Sequence, residues 1–310
     1  MASRDPRADI VDSDPFPQPK IRRIHSSESS SGSSMFTIED LQNMFTGKQA
    51  APKPTGNKKV WEFSDIEKQH LGLATAAFTL ALGFVAVRGL SGISTLDPNT
   101  WFVSLLLAMP VMLLAVGPAF ILHEIGHKIV AKKYDCWAEF RADPKGLRFG
   151  IILSFFLGIL FMAPGAVMVS GLVKRRYNGY VAVAGPLTNL SLFIIGIPIW
   201  VIILGLSGAF DSTHTPLFES GISLNTYLDG NNILWHSMLI DAGIVWLFAN
   251  LTLGLFNMIP WGPLDGAKVK DWNEPVFYGV FITFLIPVLG MILGAWSPAT
   301  LLEGLVNTIF

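Results

Sequence analysis

Residues 151–169 read IILSFFLGILFMAPGAVMV, and whether this stretch crosses a bilayer or turns back inside it decides the fold. A crossing helix needs roughly 20 apolar residues to span about 30 Å of hydrocarbon. Gly158, Pro164 and Gly165 interrupt this one, and its end, continuing to Ser170 and Gly171, alternates like a strand. Charge offers a second criterion. Lys128, Lys132, Lys133, Arg141, Lys145 and Arg148 precede the stretch, and Lys174, Arg175 and Arg176 follow it. Basic residues collect on the cytosolic side of membrane proteins, so a full crossing strands one cluster outside. A re-entrant passage instead puts both clusters, with Lys268 and Lys270, on one face. The loops at 91–100 and 207–237 and the C-terminus then lie on the other face without a Lys or Arg. Non-helical backbone at membrane depth needs protein or a water-filled cavity around it, so re-entry implies a cavity on the cytosolic side. A sixth crossing stays open as the alternative.

Outward from this stretch, five others are long and apolar enough to span: 71–90, 101–130, 181–206, 238–258 and 276–296. The 310 residues are 51% hydrophobic and only 15% charged, against about 25% in a soluble domain. Residues 1–70 hold 10 Lys+Arg and 10 Asp+Glu, which leaves 12 and 13 for the other 240 positions. The reading is an all-α polytopic membrane protein of five or six transmembrane helices, with residues 61–310 as the membrane domain and the first of those helices as targeting signal. Residues 1–60 read as a disordered tail: seven of the nine residues from 26 to 34 are serine, too polar to offset ordering entropy. Within it, Ile38, Leu41, Met44 and Phe45 share one face of a possible short helix over 37–46. A net charge of −1 gives no electrostatic case for nucleic acid. The lone Cys136 excludes a disulfide framework and a Cys-rich zinc site, and it reads as inert.

The second span ends in Phe120-Ile121-Leu122-His123-Glu124-Ile125-Gly126-His127-Lys128. A step of four residues turns a helix by about 400°, so His123 and His127 share a face and can hold one zinc ion, with Glu124 beside them as a base. Catalytic zinc takes three protein ligands and a water, and no further histidine follows closely. His214, Asp229, His236 and Asp241 fall toward the opposite membrane face. Asp265 lies past the inner end of the span 238–258, in Asn257-Met258-Ile259-Pro260-Trp261-Gly262-Pro263-Leu264-Asp265-Gly266. There the prolines break the helix and the glycines permit a tight turn. It is the expected third ligand. Arg88 reads as a snorkelling anchor, Lys268 and Lys270 as topology charges, and Trp101, Trp235 and Trp296 as interfacial belt residues.

These motifs, HEIGH in a membrane span, GPLTN at residues 185–189 and NMIPWGPLDG ending at Gly266, resemble the site-2 protease family of intramembrane zinc metalloproteases, especially its archaeal-type members. The resemblance covers about residues 100–275. It implies one zinc ion per chain on His123, His127 and Asp265, with Glu124 as catalytic base and Asn189 and Asn257 holding the substrate backbone. It also implies a membrane-inserted β-hairpin after the HExxH helix, in agreement with the charge pattern. The substrates would be transmembrane proteins in the bilayer of a prokaryotic cell membrane, cut in regulated intramembrane proteolysis, with N-terminus and active site cytosolic. The chain departs from some bacterial members: residues 207–237 are too few for an inserted PDZ domain, and nothing resembles a CBS module. A different class, a polytopic ion or metal transporter, would use the same polar residues as an ion path. A catalytically dead relative is disfavoured because every expected catalytic position is filled.

Overall fold

The computed structural model describes residues 61–170, 174–211 and 226–310. The 1–60 tail, its expected helix at 37–46, and His214 lie outside the described residues. Among the described residues, five helices are long and apolar enough to cross a membrane. They are α1 (Asp65–Ala86), α3 (Pro98–Lys133), α5 (Arg175–Ser207), α6 (Trp235–Asn257) and α8 (Glu274–Ile292). Shorter helices accompany them: α2 (Gly89–Ile93), α4 (Pro144–Leu157), α7 (Asp265–Trp272) and α9 (Pro298–Ile309).

The first span begins six residues before its expected start. Ser64 caps α1 by accepting from the Glu67 amide at 3.1 Å, and the helix carries Glu67 and Lys68 in its first turn. Hydropathy excludes such charges, but Glu67 is buried against Lys128 of α3, a partner 61 residues away that no local window sees. The helix stops at Ala86, because Arg88 (φ 56°) and Gly89 (φ 50°) turn left-handed. The next span, α3, has 36 residues, about 54 Å of helix. It starts on an Asp97 cap with Pro98 in its first turn, contains Pro110 and Pro118, and ends on Lys132 and Lys133. At the other end of the next long helix, Gly208 (φ 63°) closes α5 in the left-handed cap conformation.

The decisive stretch is re-entrant, and more helical than a simple hairpin. Strands β1 (Trp137–Ala142) and β2 (Gly165–Ser170) pair antiparallel, from Trp137↔Ser170 to Ala142↔Gly165. Both ends of the intervening segment therefore meet at one level. Between them α4 rises, begun by Asp143 and Pro144 and ended by Gly158 (φ 66°). Leu147, Gly150 and Ser154 are buried on its helical face, whereas Phe149, Ile152 and Phe156 are exposed, the pattern of a helix leaning on a neighbour with lipid on its other side. That neighbour is α1. Gly150 leaves room for Met162 of the returning chain. With 14 residues, α4 is about 21 Å long, short of a crossing.

The main core joins α3, α5, α6 and α9 through Met112, Leu204, Ile240, Leu247 and Leu302, all nearly fully buried. A second cluster seats α7 and α8 against α5 and α6 through Val183, Leu251, Met258, Val269 and Phe284. At the charged end, Arg175 Nε bonds Asp271 Oδ2 at 2.9 Å, tying the start of α5 to α7.

Candidate metal centre

Helical spacing brings His123 and His127 onto one face of α3, and their Nε2 atoms stand 3.1 Å apart. The chain leaves α6 at Asn257, turns through Gly262 (φ 61°) and enters α7 at Asp265. Gly266 is required there, because a Cβ would meet Met258 O at 2.1 Å. This turn delivers Asp265 Oδ2 to 3.4 Å from His123 Nε2 and 3.0 Å from His127 Nε2. A tetrahedral zinc ion with ligands at about 2.0–2.1 Å separates its donor atoms by about 3.3 Å. The observed triangle therefore has the dimensions of three corners of that tetrahedron. All three side chains are buried.

The imidazoles are held from behind. His127 Nδ1 lies 2.7 Å from Val181 O, and a carbonyl only accepts, so Nδ1 donates, which in the neutral imidazole leaves the Nε2 lone pair for a ligand role. His123 Nδ1 lies 2.5 Å from Asn189 Oδ1. Two glycines let α5 come this close. A Cβ on Gly185 would stand 2.5 Å from both histidine Nε2 atoms, and one on Gly126 would meet Thr188 Oγ1 at 2.5 Å. Pro186 withholds the amide that Ala182 O would receive in a regular helix, loosening that turn of α5.

Glu124 is buried, and its Oε2 has no hydrogen-bond partner among the described residues. A buried polar atom without a partner is costly, so it calls for water or a ligand at that point. Strand β2 packs against α3, and the backbone of Val167 lies near this carboxyl. The sheet explains how. The Phe140 amide donates to Glu67 Oε1 at 3.1 Å, so Phe140↔Val167 is a non-hydrogen-bonded pair, and Val167 directs its backbone groups away from β1. The free edge of β2 thus borders the Glu124 side of the site.

The remaining expected residues are distributed unevenly. Asn189 is fully buried, and its Nδ2 donates to Ala119 O at 3.1 Å and Asn250 Oδ1 at 3.0 Å. With Oδ1 on His123, it faces protein on every side. Asn257 is half-buried, and its Nδ2 donates to Leu253 O at 3.1 Å. Asp241 lies near the start of α6, about 24 Å along the helix from Asn257, with Tyr227 Oη donating to its Oδ2 at 2.9 Å. Asp229 and His236 belong to that end as well. Lys268, expected as a topology charge, reaches Asp265 Oδ1 at 3.4 Å, since three residues on a helix share a face. Asn250 and Glu67 belong to none of the three motifs. A polar residue inside an apolar span was the available signal for the first.

Fold and site together define a polytopic membrane protein with a buried two-histidine, one-carboxylate cluster able to hold a metal ion. Relatives agree. The chain is 37% identical over 169 residues to "Putative zinc metalloprotease MJ0611" of Methanocaldococcus jannaschii, covering 54% of this chain and 73% of that one. It is 29% identical over 200 residues to "Putative zinc metalloprotease YwhC" of Bacillus subtilis, covering 57% and 80%. A third match, 29% over 159 residues, is to "Zinc metalloprotease MJ0392" of Methanocaldococcus jannaschii, covering 51% and 33%. The chain belongs to the site-2 protease-like family of zinc metalloproteases. No protein-family model and no solved structure matches it.

Proposed function

We propose that this protein is a zinc-dependent intramembrane endopeptidase that hydrolyses peptide bonds within or near transmembrane segments of other membrane proteins. The active site would face the cytosolic leaflet of a prokaryotic cell membrane, where Lys132, Lys133, Arg175 and Arg176 gather. One observation carries the reading: the His123, His127 and Asp265 donor triangle has zinc-site dimensions and lies beside a buried carboxylate oxygen without a partner, within a bundle of membrane-length helices.

In this reading His123, His127 and Asp265 hold one zinc ion, which when bound supplies the Lewis acidity that activates water at neutral pH and polarises a peptide carbonyl. Glu124 accepts the proton of the attacking water and returns it to the leaving amine. A helical substrate hides its amides in internal hydrogen bonds, so it must open locally before attack. The free edge of β2, at Gly165, Val167 and Val169, is suited to receive the opened segment as an added strand, with Asn257 as a further polar contact. Lys268 neutralises the outer oxygen of Asp265 and leaves the inner one to the metal.

The test is cleavage of a transmembrane reporter by the purified full chain in liposomes, with and without a zinc chelator. Fragments cut inside the apolar segment, lost with chelator and restored by zinc, are expected. Metal flux across the liposome without any cleavage would overturn the reading and favour a transporter built on the same residues.

A further inference from the structure

Asn250 lies within α6 and is fully buried. An amide at that depth must find its partners inside the bundle. Its Nδ2 donates to Trp246 O at 2.9 Å, one turn back in its own helix. Its Oδ1 therefore faces α5, where it accepts from Asn189 Nδ2 at 3.0 Å. The other hydrogen of that amide goes to Ala119 O of α3 at 3.1 Å. Two acceptors thus fix which end of the Asn189 amide is nitrogen, and the oxygen is left to His123 Nδ1 at 2.5 Å. An oxygen can only accept, so His123 Nδ1 carries a hydrogen, which in the neutral imidazole leaves the Nε2 lone pair toward His127 Nε2 and Asp265 Oδ2. His127 needs no such device, because the backbone carbonyl of Val181 performs the same task. For His123 the acceptor is a side chain that has to be oriented itself.

We propose that Asn250 and Asn189 are positioning residues that lock His123 in the Nδ1–H tautomer and so prepare it as a metal ligand. The inference rests on reading His123, His127 and Asp265 as the metal site. It assigns Asn189 a place behind the imidazole instead of on the substrate, and it gives Asn250 a role that neither the HExxH nor the aspartate motif contains. Outer partners of metal-bound histidines typically contribute about 10–100-fold in metal affinity. Asn250 stands one step further out, and Ala119 O still holds Asn189 without it, so its share falls at the lower end.

Zinc affinity of the full-length protein in detergent, measured by chelator competition, and the visible spectrum of its cobalt form test this. Asn250→Leu should weaken zinc by about 10-fold, and Asn189→Leu by about 100-fold, with an altered cobalt spectrum in each. Asn250→Asp, which when protonated presents the same acceptor and donor, should restore both. Wild-type affinity and spectrum in folded Asn250→Leu would overturn the proposal. If that variant does not fold, the imidazole 15N spectrum of the metal-free wild type decides: a hydrogen on His123 Nδ1 supports the proposal, and a bare Nδ1 overturns it. Failure of the proposed function looks different, namely a wild type that binds zinc and cleaves no membrane substrate.

Discussion

The Glu67 carboxylate and the Lys128 ammonium form an ion pair in which both side chains are about 2% exposed or less, one residue beyond the second histidine of the HExxH helix. Lys128 also donates to Glu62 O at 2.9 Å and lies 3.7 Å from the centre of the Phe63 ring. Glu67 in turn holds the Phe140 amide of β1. The pair thus joins the start of α1, the end of α3 and the strand that carries β2.

Removing one partner leaves a buried charge alone, which costs about 3–5 kcal/mol. Glu67→Ala or Lys128→Met should therefore lower thermal stability in detergent sharply, and Glu67→Leu combined with Lys128→Met should recover most of it. The exposed pair Arg175–Asp271 is the contrast: Arg175→Ala should cost only about 0–1 kcal/mol. Equal losses at the two sites would show that burial does not govern these pairs.

Gly185 offers a test of the close approach of α5 to the histidines. A Cβ there would meet both Nε2 atoms at 2.5 Å, so Gly185→Ala should reduce zinc affinity more than about 10-fold while helix content by circular dichroism is unchanged. Gly279 in α8 has nothing within 4 Å of its Cβ position. Gly279→Ala should bind zinc normally and gain up to about 1 kcal/mol from helix propensity.

Cys136 is 6% exposed, and burial, aided by the neighbouring Asp135, pushes its thiol above the usual range. The thiolate is the reactive form. A maleimide reagent should therefore label the native protein slowly at neutral pH and the denatured protein at once. Rapid native labelling would show that the packing of β1 on the end of α3 is loose.

Much of this architecture was legible where its signal is local. Hydropathy located five spans because each is a contiguous run, and HEIGH placed two histidines on one face because helical geometry fixes a step of four. Asp265 followed from the turn chemistry of Pro260, Gly262 and Pro263 and from which end of the helix it occupies. What escaped was long-range. The extra turns of α1 depend on Lys128 offsetting the charge of Glu67. The partner of β2 is Trp137–Ala142, whose mixed sequence lies before the apolar stretch, with a helix interposed. Asn189 and Asn250 meet only when α3, α5 and α6 pack together, so no spacing along the chain announces their bond.

The central claim concerns Glu124, and cleavage of a transmembrane reporter in liposomes by Glu124→Gln, with zinc content measured on the same sample, tests it most directly. The substitution keeps the shape of the side chain and removes its capacity to take a proton. The account predicts zinc bound as in the wild type and no cleavage. Cleavage at the wild-type rate by the zinc-loaded variant would contradict it.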